Sequence, residues 1–189
     1  YRQFIHQEYG VRQLLVEHTH FNDPEKREHI RRLLIRAAQQ KTIPIVNYND
    51  PVSDEENRKM ELAIRRSHGD QVVECVDNDE TAAVIANLVH AKKLVLMTST
   101  EGIYRDPADP KTLVEQVTAK SMEELEEKVR QLQESCVGAS RAGANGAKAK
   151  LEYALKSARQ GTMVIIGHAR HRLSDLVEGR VACTRIGLE

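Results

Sequence analysis

Between Lys41 and Pro107 the chain reads Thr42-Ile43-Pro44-Ile45-Val46-Asn47-Tyr48-Asn49-Asp50, then Asp77-Asn78-Asp79-Glu80-Thr81, then Leu94-Val95-Leu96-Met97-Thr98-Ser99-Thr100-Glu101-Gly102-Ile103-Tyr104. Each polar cluster stands at the end of a short apolar run or at the start of a helical pattern. An open α/β sheet builds its ligand crevice in this way, outside the carboxyl ends of its strands.

Periodicity outward from this stretch alternates strands and helices. Tyr1 to Tyr9 reads as helical and Val11 to Glu17 as a strand. Pro24 to Gln40 reads as a long helix with Asp23 as N-cap and Pro24 at its first position. Thr42 to Val46 is a β-branched run expected as a buried parallel strand, with Pro44 arguing against a central place. Ser53 to Arg66 reads as an exposed helical excursion, Val72 to Val76 as a strand, and Asp79 to Ala91 as a helix facing inward through Val84, Ile85, Leu88 and Val89. Lys93 to Met97 is the next strand, followed by turns at Gly102, Asp106-Pro107 and Asp109-Pro110. Helix Ser121 to Cys136 opens with a Ser121/Glu124 capping box. A small-residue stretch from Gly138 to Ala149 then leads to helix Lys150 to Gln160 and strand Thr162 to Gly167. The alternation predicts an α/β fold with a mostly parallel sheet.

Composition narrows the function classes. The 189 residues suit one domain, and no apolar run approaches the roughly 20 residues of a membrane helix. Lys plus Arg and Asp plus Glu both number 28, so no global basic field argues for nucleic acid. Cys75, Cys136 and Cys183 stand far apart without CxxC spacing, which argues against a zinc site or a secreted disulfide scaffold and for a cytoplasmic setting. The pairs His18/His20 and His168/His171 lack the partners of a closed metal site, so the histidines are read as surface residues and no metal ligands are assigned.

Five blocks in order carry a resemblance. Ile43 to Ser53 resembles an apolar strand ending in Asn-Glu-Asn-Asp-x-Val, with Tyr48 in place of the glutamate; Val76 to Ala83 resembles Gly-Asp-Asn-Asp before a small-residue helix, without the glycine. Met97 to Pro107 is similar to Leu-Thr-Asp-x-x-Gly-Leu-Tyr-x-x-Asp-Pro, with Ser99 in place of aspartate. Gly143 to Lys150 looks like Gly-Thr-Gly-Gly-Met-x-x-Lys, and Leu173 to Thr184 like Leu-x-x-Leu-x-x-Gly-x-x-x-Gly-Thr. These are the blocks of the amino acid kinases, and among them the glutamate 5-kinases are most similar.

The resemblance implies a three-layer α-β-α sandwich over residues 1–189, with an acceptor side at about 1–90 and a nucleotide side at about 91–189. It implies ATP and Mg2+, the metal held mainly by phosphates, and a small-molecule acid as acceptor, glutamate first, in proline biosynthesis. Lys150 is then the catalytic residue. Asn47, Asp50, Asp77, Asn78 and Asp79 hold the acceptor. Thr98, Ser99, Gly102, Tyr104, Gly143, Ala144, Asn145, Gly146 and Lys150 hold the nucleotide, the backbone N–H groups of Gly143 to Ala147 cradling phosphate. On residue chemistry alone Lys148 would serve as well as Lys150, and Asp79 with Glu80 would serve as a helix cap.

Family members open with a lysine-bearing strand and a glycine-rich loop that do not precede Tyr1, so the chain is expected to be N-terminally incomplete, and it resembles members without a C-terminal accessory domain. A homo-oligomer is also implied. The alternatives are a kinase of the same fold acting on a carbamate, an acetylated amino acid or a nucleoside monophosphate, and a non-catalytic nucleotide- or metabolite-binding protein. Tyr48, Pro51 and the charged run Asp54 to Gln71 lie where relatives recognise the acceptor.

Overall fold

The computed structural model describes residues 2–49, 64, 67, 78–106, 108–135 and 146–189. The chain forms two compact units, Tyr1–Val84 and Ile85–Glu189. The expected strand Val72 to Val76 and nearly all of the excursion Ser53 to Arg66 lie outside the described residues.

In the first unit, strands β1 (Gly10–Val16) and β2 (Thr42–Tyr48) pair in parallel from Gly10 opposite Thr42 to Val16 opposite Tyr48. Pro44 lies opposite Arg12 and the ladder runs through it. Short helix α1 (His18–Asn22) leads into α2 (Pro24–Gln39), which packs on β2. Asp23 accepts from the backbone N–H groups of Glu25 and Lys26 at 2.9 and 3.0 Å, satisfying two donors that the first turn would leave open. Ile30, Leu34 and Ala37 form the buried stripe of α2, at the spacing an amphipathic helix requires. The expected helix from Tyr1 to Tyr9 is replaced by one 3-10 turn, Arg2–Phe4. Phe4 is 89% exposed, so this segment buries too little apolar surface to hold a longer helix.

The unit boundary falls inside α3 (Asn78–Leu88). Its most buried positions are Glu80, Thr81, Ala83 and Ala86, whereas Val84, Ile85, Leu88 and Val89 are half-buried, so small residues form its closest-packed face.

In the second unit the sheet order is β3 (Lys93–Thr98), β5 (Met163–His168), β6 (Thr184–Leu188), β4 (Gln116–Ala119). β3 is parallel to β5 and β4 to β6, while β5 and β6 run antiparallel. Strands β4 and β6 were not apparent in the sequence. Both are short: Gln-Val-Thr-Ala alternates over only four residues, and Thr-Arg-Ile-Gly-Leu carries an arginine and a glycine within it.

Central strand β5 is covered on both faces. Ile165 packs with Leu176 of α6 (Leu173–Glu178) and with Cys183, while Val164 and Ile166 are also wholly buried. Alternate residues of a strand point to opposite faces, so α6 covers one face. Helix α5 (Gly146–Ala158) packs on β5 and β6, and α4 (Met122–Ser135) on β4 and α5, completing the α-β-α layering. Each such buried aliphatic contributes about 1.5–3 kcal/mol. Helix α4 opens as a displaced capping box: Ser121 Oγ accepts from Glu124 N, but the Glu124 carboxylate accepts from Lys120 N rather than Ser121 N. Arg185 donates to the carbonyl of Leu176 at 2.8 Å, placing a cation at the C-terminal end of α6.

Gly102 lies where the segment after β3 meets the start of β6. A Cβ there would fall 2.9 Å from the backbone nitrogen of Thr184 and closer still to its Oγ1, and a backbone atom inside a sheet cannot yield. Asp23→Ala should lower stability by about 1 kcal/mol in denaturant unfolding. Gly102→Ala should cost about 2 kcal/mol or more by overpacking, and a parallel Gly161→Ala, at an open turn of positive φ, should cost about 1 kcal/mol through backbone strain alone.

Candidate functional site

The parallel strands β3 and β5 end side by side, Thr98 opposite His168, and Ala169 N donates to the Thr98 carbonyl at 2.8 Å. The chain then folds tightly on itself. Thr98 Oγ1 accepts from Thr100 N at 2.9 Å, and Thr100 Oγ1 donates to the Gly102 carbonyl at 3.1 Å. With that proton committed, the 3.0 Å contact between the two hydroxyls has Thr98 as donor. Ser99 is exposed at the apex of this turn.

Beyond it the segment is anchored to β6. Ile103 N donates to Thr184 Oγ1 at 2.8 Å, Thr184 Oγ1 donates to the Val114 carbonyl at 2.7 Å, and Val114 N returns to the Ile103 carbonyl at 2.8 Å. Tyr104 forms an antiparallel bridge with Leu113. Asp106 and Asp109 are occupied by turn formation, accepting from Ala108 N and Lys111 N, both at 2.9 Å. Of the nucleotide-side residues expected from the sequence, Thr98, Ser99, Gly102 and Tyr104 thus lie on one segment, which leaves the end of β3 and passes the start of β6. Gly102 has a packing role against Thr184 that the sequence did not disclose.

Gly146 opens α5 and Lys150 lies one turn further along it, half-buried, on the same side at i+4. Lys148 is exposed, and its carbonyl accepts from Gln133 of α4 at 3.0 Å. Gly143, Ala144 and Asn145 lie outside the described residues.

In the first unit Asn47 is exposed near the end of β2, and Asn78 and Asp79 stand at the start of α3. Asp50 and Asp77 lie outside the described residues. Tyr48 is 6% exposed and its hydroxyl lies 3.2 Å from Nδ1 of His18, which is 5% exposed. His18 is therefore a core residue, a correction to its reading as a surface group. Asn49 is fixed by two contacts, its N–H to the Val16 carbonyl at 2.9 Å and its side-chain amide to Glu17 Oε1 at 2.8 Å.

A second correction concerns His171. Its side chain is only 20% exposed, and its Nε2 lies 2.6 Å from Glu101 Oε2. Neither Glu101 nor Thr184 was picked out from the sequence. Thr184 closes the last motif block, but nothing local tells that it answers Gly102.

Among the described residues no three His, Cys, Asp or Glu side chains converge as metal ligands. The large carboxylate shifts belong to helix surfaces. Hydrogen bonds from Arg31 and then Arg32 hold Glu28 at about 2, and Arg130 lowers Glu127. Pairs so exposed contribute little.

A sequence profile described as the amino acid kinase family matches residues 3–168. Glutamate 5-kinase of Geobacillus thermodenitrificans (strain NG80-2) is 30% identical over 189 residues, covering 98% of this chain and 45% of that protein. Glutamate 5-kinase of Chromobacterium violaceum is 28% identical over 183 residues, covering 94% of this chain and 44% of that protein. The chain thus spans somewhat under half the length of these curated relatives. Among solved structures, carbamate kinase from Giardia lamblia bound to AMP-PNP has the same fold, with a TM-score of 0.56 at 14% identity, covering 84% of this chain and 44% of that one. No described helix is long and apolar enough to cross a membrane. The profile match over most of its length and the shared order of its blocks establish that this chain belongs to the amino acid kinase family.

Proposed function

We infer that the chain belongs to the catalytic domain of an ATP-dependent kinase that makes an acyl phosphate from an amino-acid side-chain carboxylate. Glutamate is the first candidate acceptor and proline biosynthesis the pathway it would serve. The observation that carries this reading is the 30% identity to a glutamate 5-kinase sustained over 98% of the chain.

The reaction asks little covalent chemistry of the protein. An acceptor carboxylate oxygen attacks the γ-phosphorus, a new P–O bond forms, and the bond to the β,γ-bridging oxygen breaks with its electron pair leaving on ADP. Positioning and charge neutralisation therefore supply most of the rate. Lys150 would neutralise the leaving phosphate, and the start of α5 from Gly146 would turn N–H groups toward phosphate oxygens. Thr98, Ser99 and Tyr104 would wall the nucleotide, with Gly143, Ala144 and Asn145 completing the phosphate loop. Asn47, Asp50, Asp77, Asn78 and Asp79 would hold the acceptor, Asp50 meeting its ammonium group. Mg2+ would enter on the ATP phosphates. A homo-oligomer and a cytoplasmic site of action belong to the same proposal.

Ser99, exposed at the apex where the family carries aspartate, favours one rival, a nucleotide-binding protein that transfers no phosphoryl group. Hydroxylamine trapping with ATP, Mg2+ and glutamate separates the two. The kinase reading expects hydroxamate from the intact protein and a fall in kcat of about 100- to 1000-fold in Lys150→Ala. ATP binding without hydroxamate for glutamate or other amino-acid carboxylates would sink it. Asn78→Ala should raise the glutamate KM about tenfold or more while leaving the ATP KM unchanged, the mark of a lost acceptor contact.

A further inference from the structure

We propose that Glu101 is a positioning residue for nucleotide binding, tethering the turn after β3 to the turn after β5. The proposal rests on the assignment of Thr98 to Tyr104 to the nucleotide side.

Glu101 occupies a position that the family pattern leaves open, between Thr100 and Gly102. Its side chain is 16% exposed, an environment in which an unpaired carboxylate is costly. Both oxygens are partnered, and both partners come from one turn 69 to 70 residues away: Oε1 meets the Arg170 guanidinium and Oε2 meets His171 Nε2. A carboxylate can only accept, so Nε2 carries the proton in this contact. The turn that supplies these partners is itself well ordered by local bonds. His168 Nδ1 accepts from Arg170 N at 3.0 Å, His171 N donates to the His168 carbonyl at 3.0 Å, and the two imidazoles meet edge to face.

The tether completes a three-sided frame. Thr98 is tied to Ala169 behind the turn, and Ile103 is tied to Thr184 ahead of it. Between those anchors, Ser99 and Thr100 are exposed and bonded only within the turn, apart from the link through Glu101. A wall held in one conformation binds its ligand without first losing the entropy of ordering, so release of Glu101 should appear as weaker nucleotide binding rather than as unfolding. Arg170 is 64% exposed and returns to water when Glu101 is removed, leaving no buried cation behind.

The test measures Mg·ATP affinity by titration calorimetry and hydrogen–deuterium exchange over Thr98–Tyr104 in the intact protein. Wild type, Glu101→Ala, Glu101→Gln and, as a control for loss of an exposed ion pair, Glu126→Ala are compared. The proposal expects Glu101→Ala to weaken ATP binding about tenfold, a preorganisation effect. Exchange should quicken at Thr98–Tyr104 and not in β5, the ATP KM should rise, and the acceptor KM should stay constant. Glu101→Gln, whose amide carbonyl still accepts from His171, should recover part of the affinity, and Glu126→Ala should match wild type. Equal ATP affinity in wild type and Glu101→Ala would overturn the positioning role and leave the kinase reading standing. Unchanged exchange would overturn the tether itself. Failure of the wild type to bind ATP would overturn the nucleotide assignment and this proposal together.

Discussion

The second unit of this chain depends on one close approach, Gly102 against Thr184. Gly102 lacks a side chain because β6 begins there with its backbone almost in contact. The Thr184 hydroxyl uses that proximity twice, accepting from Ile103 and donating to Val114, and so joins the segment after β3, the return through Leu113 and Val114, and the last strand. A fully buried hydroxyl with both roles filled favours one arrangement, because any shift would leave a donor or an acceptor unsatisfied.

This contact also gives a physical meaning to two of the blocks by which the family is recognised. Gly102 after β3 and Thr184 at the start of β6 are distant in the sequence, yet each explains the other's residue type. Neither needs to touch a ligand for that. Thr98 and Ser99 stand at the carboxyl end of β3, the end of parallel strands at which α/β sheets place their sites. Antiparallel β6 brings Thr184 to this same end, which a parallel strand at that place would not do.

Local rules carried the sequence reading where local energetics decide structure. Asp23-Pro24 announced a helix start, and the apolar runs Leu94 to Met97 and Val164 to Ile166 announced strands, the second wholly buried, because capping and burial act through neighbouring residues. The turns at Asp106 and Asp109 were legible for the same reason. Strands β4 and β6 were not, since they are only four and five residues long and their pairing is long-range. The candidate site divides likewise. Its glycine and hydroxyl residues stood out as a motif, whereas Glu101 with His171 became visible only when two distant turns were brought together. His18 and His171 illustrate the point from the other side: a histidine beside polar neighbours reads as exposed until the fold supplies Tyr48 or Glu101 to receive it.

Tyr48 is the departure that most invites a different acceptor, and its geometry argues for a more limited consequence. Side chains alternate along β2, so Tyr48, buried toward His18, points away from the exposed face that carries Asn47. A glutamate at 6% exposure would need a cationic partner to remain ionised, whereas a phenol needs one hydrogen bond, which neutral imidazole can provide. Tyr48 and His18 thus stand as a matched buried pair at the end of β2. The backbone just beyond Tyr48 is independently held where Asn49 bonds to Val16 and to Glu17. A tyrosine at this position thus belongs to the packing behind the end of β2, while Asn47 keeps the exposed face of the strand.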